Sequence, residues 1–133
     1  MPVDALIALQ ASTTKATTFN GAALILPGGT PRRGLFARVL VTAATSTTTN
    51  TATFSVDACY DGVPTTWRAD FVGDPPLSLT TTGQVTELYI PFNVQPTVVA
   101  GVITAPQIRL TCTIAGGGTA SVTYQGDIVL AKP

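Results

Sequence analysis

Apolar and polar positions alternate residue by residue along much of this chain, and no stretch carries an apolar stripe of helical spacing over three turns. Residues 51–60, TATFSVDACY, set Ala52, Phe54, Val56, Ala58 and Tyr60 on one side of a strand and Thr53, Ser55, Asp57 and Cys59 on the other. Residues 107–116, QIRLTCTIAG, group Ile108, Leu110, Cys112 and Ile114 against Arg109, Thr111 and Thr113. In residues 34–43, GLFARVLVTA, both alternating sets are largely apolar, so this strand is expected to be covered on both faces apart from Arg38. Residues 120–132 supply a last strand with an interior glycine, Gly126, for which a bulge is the usual reason.

Weaker strand patterns lie at 5–9, 22–27, 65–72 and 86–92, in a chain rich in the β-branched threonine. The glycine run AGGGTA (115–120) has the length of a hairpin loop, and TSTTTNT (45–51) is a polar connector. About eight short strands separated by turn signals define an all-β fold, an antiparallel β-sandwich of jelly-roll type. The 133 residues form one such domain, with residues 1–20 as an extended N-terminal arm or first strand. Two segments, 73–84 and 93–106, are too long for hairpin loops. The second carries Val98, Val99, Val102 and Ile103 with little polarity, as a loop covered by a partner or by its own core would.

Composition narrows the function classes. Charged residues are 11% of the chain, against about 25% in an ordinary soluble domain, and the apolar content is too high for disorder. Such a surface is expected to be partly hidden against something else. The formal net charge is zero, which leaves no electrostatic footprint for nucleic acid or an anionic membrane. No apolar run is long enough for a membrane-spanning helix, and the N-terminus has no basic region of a secretory signal, so synthesis in a cytoplasm is expected.

Chemistry-bearing residues are few. There is no histidine, so the usual Ser-His and Cys-His nucleophile pairs and imidazole metal sites are excluded. The one glutamate, Glu87, lies mid-strand and reads as solvent-facing or arginine-paired. Residues 55–70, SVDACYDGVPTTWRAD, gather Asp57, Cys59, Asp61 and Asp70 near Trp67, but Asp57 lies inside a strand and Ala, Cys and Tyr fill the positions where a calcium loop has oxygen ligands. Asp61-Gly62 then opens a turn and the aspartates solvate an edge. Cys59 and Cys112 fall on opposite faces by parity, so two free thiols are expected. Residues 26–36, LPGGTPRRGLF, lack the Lys-Ser/Thr of a phosphate loop; Arg32 and Arg33 read as rim contacts to a partner or as solvated. No catalytic residue, metal site or cofactor is assigned.

The run AALILPGGTPRRGLFARVLVTAATSTTTNTATFSVDACYDGVPTTW, with the closing QIRLTCTIAGGGTASVTYQGDIVL, resembles the jelly-roll cement (decoration) proteins of tailed-bacteriophage capsids. The shared pattern is a strand, a Gly/Pro loop, LFARVLVT, a Thr/Ala/Ser connector, a strand ending near DG…W, and a closing hairpin. The resemblance implies a non-enzymatic viral structural protein on the capsid exterior, made in the host cytoplasm. It would bind the major capsid protein of the virion, clamp neighbouring subunits, and act as a homo-oligomer, dimer or trimer, with no nucleic-acid or membrane partner. Candidate contacts are Pro2, Val3 and Leu6 of the N-terminal segment, Arg32 and Arg33, and Val98, Val99, Val102 and Ile103. Two alternatives share the fold class. One is a carbohydrate- or receptor-binding module using Trp67, Tyr60, Tyr89 or Tyr124; the other is a small tail or connector subunit.

Overall fold

The structure is a computed structural model that describes residues 7–25, 34–47, 49–60, 66–73, 77–79 and 86–129. Among them it is built of antiparallel strands without a helix. One sheet, here sheet A, runs in the order β1 (Ile7–Lys15), β12 (Ala120–Val129), β4 (Leu35–Ser46), β8 (Thr86–Phe92). Sheet B runs β2 (Phe19–Asn20), β11 (Gln107–Gly116), β5 (Asn50–Cys59), β6 (Arg68–Val72), with β3 (Leu24–Ile25) also on β11 and β7 (Leu77–Ser78) also on β5. A separate hairpin joins β9 (Thr97–Val99) to β10 (Val102–Thr104).

Four of these elements are the halves of two interrupted strands. β2 and β3 pair successive parts of β11, with the Gly21 amide bonded to the Leu110 carbonyl at 2.8 Å between them. β6 and β7 do the same along β5, bridged by the Gly73 amide on the Phe54 carbonyl at 2.8 Å. Counting each pair once and setting the hairpin aside, the strands of the described residues run first-eighth-third-sixth in sheet A and second-seventh-fourth-fifth in sheet B. The antiparallel sandwich expected from alternation is therefore present.

The inward set of each strand makes the core. Leu35, Val39, Ile90, Val122 and Ile128 of sheet A meet Phe54, Val56, Ile108 and Leu110 of sheet B, all essentially inaccessible. Phe54 and Tyr124 join the two sheets edge to face, ring centroids 5.0 Å apart. Each such fully buried side chain contributes roughly 1.5–3 kcal/mol relative to exposure. Tyr124 carries an irregularity into this apolar layer, because its hydroxyl is buried without a hydrogen-bond partner. Burial, then the neighbouring Cys112, pushes its ionisation far above the ordinary tyrosine range. Tyr124→Phe is accordingly expected to leave stability unchanged or raise it by about 1 kcal/mol, since only an unpaired polar atom is lost. Chemical denaturation reads this directly, and a loss above about 1 kcal/mol would show that the hydroxyl has a partner.

Three expectations need correction. The last two strands do not form a closing hairpin: β11 is in sheet B and β12 in sheet A, so residues 116–120 arch between the sheets. The β4–β5 connector makes the same crossing beside it, and the two arches are tied by the Thr47 amide on the Thr119 carbonyl and the Thr119 amide on Thr47 Oγ1, both 2.9 Å. Gly126 does not mark a bulge in β12. It pairs with Gln10 and Val39, the extra residues lie in β1, and a Cβ at Gly126 would come 2.7 Å from Leu110 Cδ2 of the opposite sheet. Its glycine serves close approach of the sheets. Finally, residues 93–106 are not wholly irregular, since they contain the β9–β10 hairpin.

Candidate interaction site

The β9–β10 hairpin begins where Pro96 ends the preceding segment and turns through Ala100 (φ 51°) and Gly101 (φ 80°). Left-handed backbone at both central residues is the two-residue turn whose twist matches paired strands. The cross-strand pairs Val98–Ile103 and Val99–Val102 then follow in regular register. Pairs adjacent along a hairpin face opposite ways. Val98 and Ile103 share one face, 70% and 76% exposed, while Val102 is 63% exposed on the other and Val99 is half-buried.

The root of the hairpin is fixed. Thr97 Oγ1 donates to the Tyr60 carbonyl at the end of β5, and Val94 and Pro106 on either side are buried. A shallow open cleft of about 270 Å³ lies beneath it, lined by Tyr60, Thr66, Arg68, Thr97 and Val99. Thus the four apolar residues singled out in this segment are brought together on one hairpin, and three of them are exposed. Pro2, Val3, Leu6, Arg32 and Arg33 lie outside the described residues, as does Asp61.

The second assembly, on the outer face of sheet B, corrects the reading of Asp57. It does not solvate an edge: β5 is an inner strand, and Asp57 is only 5% exposed. One carboxylate oxygen accepts from Ser55 Oγ at 2.8 Å; the other accepts from Thr111 Oγ1 at 2.6 Å and from Arg109 Nε at 3.2 Å. Arg109 in turn sits over Trp67, its Cζ 4.3 Å from the ring centroid. Register explains the grouping, since Arg109 sits opposite Asp57 and Thr111 opposite Ser55 across the β5–β11 ladder. Sequence alternation placed these side chains on one face of each strand. What it lacked was the pairing partner of each strand, which alone says that they meet.

On the outer face of sheet A, Arg38 Nε bonds Glu87 at 2.7 Å and the Tyr89 hydroxyl donates to the same carboxylate at 3.0 Å. The Arg38 hydrogen bond, then that of Tyr89, holds the Glu87 carboxyl below its ordinary range. A depressed carboxyl favours the fold above its unfolded value, and that contribution fades as pH falls through the folded one. Being exposed, the pair carries little weight.

Cys59 and Cys112 are buried and form no disulfide. Cys59 pairs with Gln107 and Cys112 with Phe54, so they stand on opposite faces and five ladder positions apart, roughly 17 Å along the strand. Burial pushes the Cys112 thiol up to about 12, which keeps it protonated and unreactive at neutral pH. No group of three or more metal-ligating side chains occurs among the described residues. The aromatics of a sugar platform are dispersed: Arg109 covers a face of Trp67, Tyr124 is inside the core, and Tyr89 packs edge-on against Phe36. Comparison of the chain with protein-family models, with curated proteins and with solved structures finds no match.

Proposed function

We propose that this chain is a non-enzymatic structural protein of a tailed-bacteriophage virion, a decoration protein that binds the capsid exterior and cements neighbouring major capsid protein subunits. The observation that carries the reading is the β9–β10 hairpin, where Val98, Val102 and Ile103 stand exposed on an uncharged projection anchored to the sandwich. A monomer gains nothing by holding that apolar surface in water, whereas a projection inserted into a partner surface removes it. Two further features support the reading. The strand order of the two sheets is compatible with a jelly roll, the double Greek key used by many capsid domains, and supports the reading to that extent. Low charge and many threonines suit a small contact repeated over a shell, where multivalency multiplies a weak single interface.

The first test is location: the protein is expected in purified virions, and heads stripped of it are expected to rupture at lower temperature. A shell without the protein, or stripped heads of undiminished heat resistance, would end this reading. The hairpin gives a sharper expectation. Val98→Ser together with Ile103→Ser should weaken rebinding to stripped heads on the order of 50-fold, from two apolar side chains no longer buried. The free protein's melting temperature should stay within about 2 °C, because both side chains are exposed in it.

A further inference from the structure

We infer that Arg109 is a preformed receptor for a single carboxylate, an aspartate or glutamate side chain of the protein on which this chain docks. The inference rests on the decoration reading above and names a second contact, on the outer face of sheet B. Three observations lead to it. First, Arg109 is held at two places, by Nε on Asp57 at 3.2 Å and by its guanidinium over the Trp67 ring at 4.3 Å. Second, its two terminal amino groups hold no hydrogen bond to any described residue, and the side chain remains 18% exposed. A guanidinium presents its donors as a planar fork, and with Nε engaged the outer pair is left with the spacing of a carboxylate.

Third, the surroundings select one occupant. Asp57 and Arg109 are the only charges on the two inner strands of sheet B, and they neutralise each other. The pair itself offers a polyanion no net charge, and the Asp57 carboxylate repels a doubly charged phosphate more strongly than a singly charged carboxylate. A lone carboxylate needs only the fork. Around it the outward side chains of β5 and β11 are neutral: Ser55 and Thr111 are already buried, and Thr53 and Thr113 remain accessible for a protein surface to cover without stranding a charge. An arginine already immobilised also loses little rotamer freedom on binding, and arginine beside tryptophan is the composition of interface hot spots.

The test uses the purified protein and stripped heads, with head carboxylates either untouched or blocked by carbodiimide and glycinamide. Wild type should bind untreated heads at least tenfold more tightly than Arg109→Lys, which keeps the charge beside Asp57 and loses the fork. Blocking should cost wild type a similar factor and cost Arg109→Lys little. Equal binding of the two proteins to untreated heads, or an equal loss for both on blocking, would overturn the inference while leaving the decoration reading intact. Failure of wild type to bind untreated stripped heads would overturn the decoration reading itself. Melting of Arg109→Lys alongside shows whether it is folded; should it not be, indifference of wild type to blocking alone is enough to refute the fork.

Discussion

Asp57→Ala is expected to destabilise the fold by about 3 kcal/mol, because it removes one member of a buried ion pair and leaves the other behind. The loss has three parts. Arg109, with 18% of its side chain exposed, keeps a charge with no counter-ion beside it. Ser55 and Thr111, each 7% exposed, lose the acceptor that their hydroxyls reach at 2.8 and 2.6 Å. A void opens on the face of an inner strand. Partial access of the guanidinium to water places the figure at the lower end of the range for broken buried pairs. For a chain of this size, a melting decrease of roughly 10 °C follows. Asp57→Asn keeps an oxygen for the two hydroxyls and should lose about half as much. Asp57→Ala combined with Arg109→Met should recover part of the loss, because no charge is then left unpaired. Denaturation of wild type, Asp57→Ala, Arg109→Met and the double variant checks the cycle, and a single alanine change costing under 0.5 kcal/mol would show that the cluster is only a solvated surface.

That cluster also shows what alternation can and cannot tell. The inward sets of β5 and β11 were plain, since a two-residue period sorts Phe54, Val56 and Ala58 from Ser55 and Asp57 without knowledge of neighbours. The opposite placement of Cys59 and Cys112 followed from the same period and is what the register shows. But an aspartate among polar positions looks alike whether it faces water or sits beneath an arginine. Only the register that sets Arg109 opposite Asp57 decides, and pairing between residues so far apart in sequence leaves no local mark.

Elsewhere the period itself breaks. In β4 the pattern runs inward at Val39 and Val41 and resumes inward at Ala44, because Thr42 has no partner in the step from Thr123–Ala43 to Tyr124–Val41. One extra residue reverses every later side chain, so a reading by alternation alone turns Ala43 inward. β9 and β10 escape alternation for a different reason: three residues per strand are too few for a period to show, and Ala100 occupies a turn position where Asn, Asp or Gly is the recognisable signal. The apolar residues of that segment were nonetheless conspicuous by composition. Their surface position is the part that needed the structure, for a buried loop and an exposed hairpin can share one sequence.

The arch between β11 and β12 carries the other large expected effect. Gly116→Ala should cost about 4 kcal/mol, whereas Gly117→Ala, one residue further, should change stability by less than about 0.5 kcal/mol. At Gly116 φ is 110°, a region open essentially to glycine alone, and strain there costs of order 1–3 kcal/mol. A methyl group would also run into the Thr49 carbonyl and come within 3.0 Å of Asn50 Cα, backbone atoms that cannot turn aside as a side-chain tip can. Moving Asn50 is costly in its own right. It is 2% exposed, accepts the Ser46 hydroxyl at 2.6 Å and donates to the Ala115 carbonyl at 3.2 Å, so it closes both arches at once. Leaving such a buried amide unpaired adds roughly 1–3 kcal/mol. At Gly117 a Cβ meets nothing within 4 Å and φ is not positive. Thermal melts of the two variants, which differ only in the position of one methyl group, separate a general intolerance of the loop from this contact. Equal melting temperatures would mean that the arches do not depend on the approach of Gly116 to residues 49 and 50.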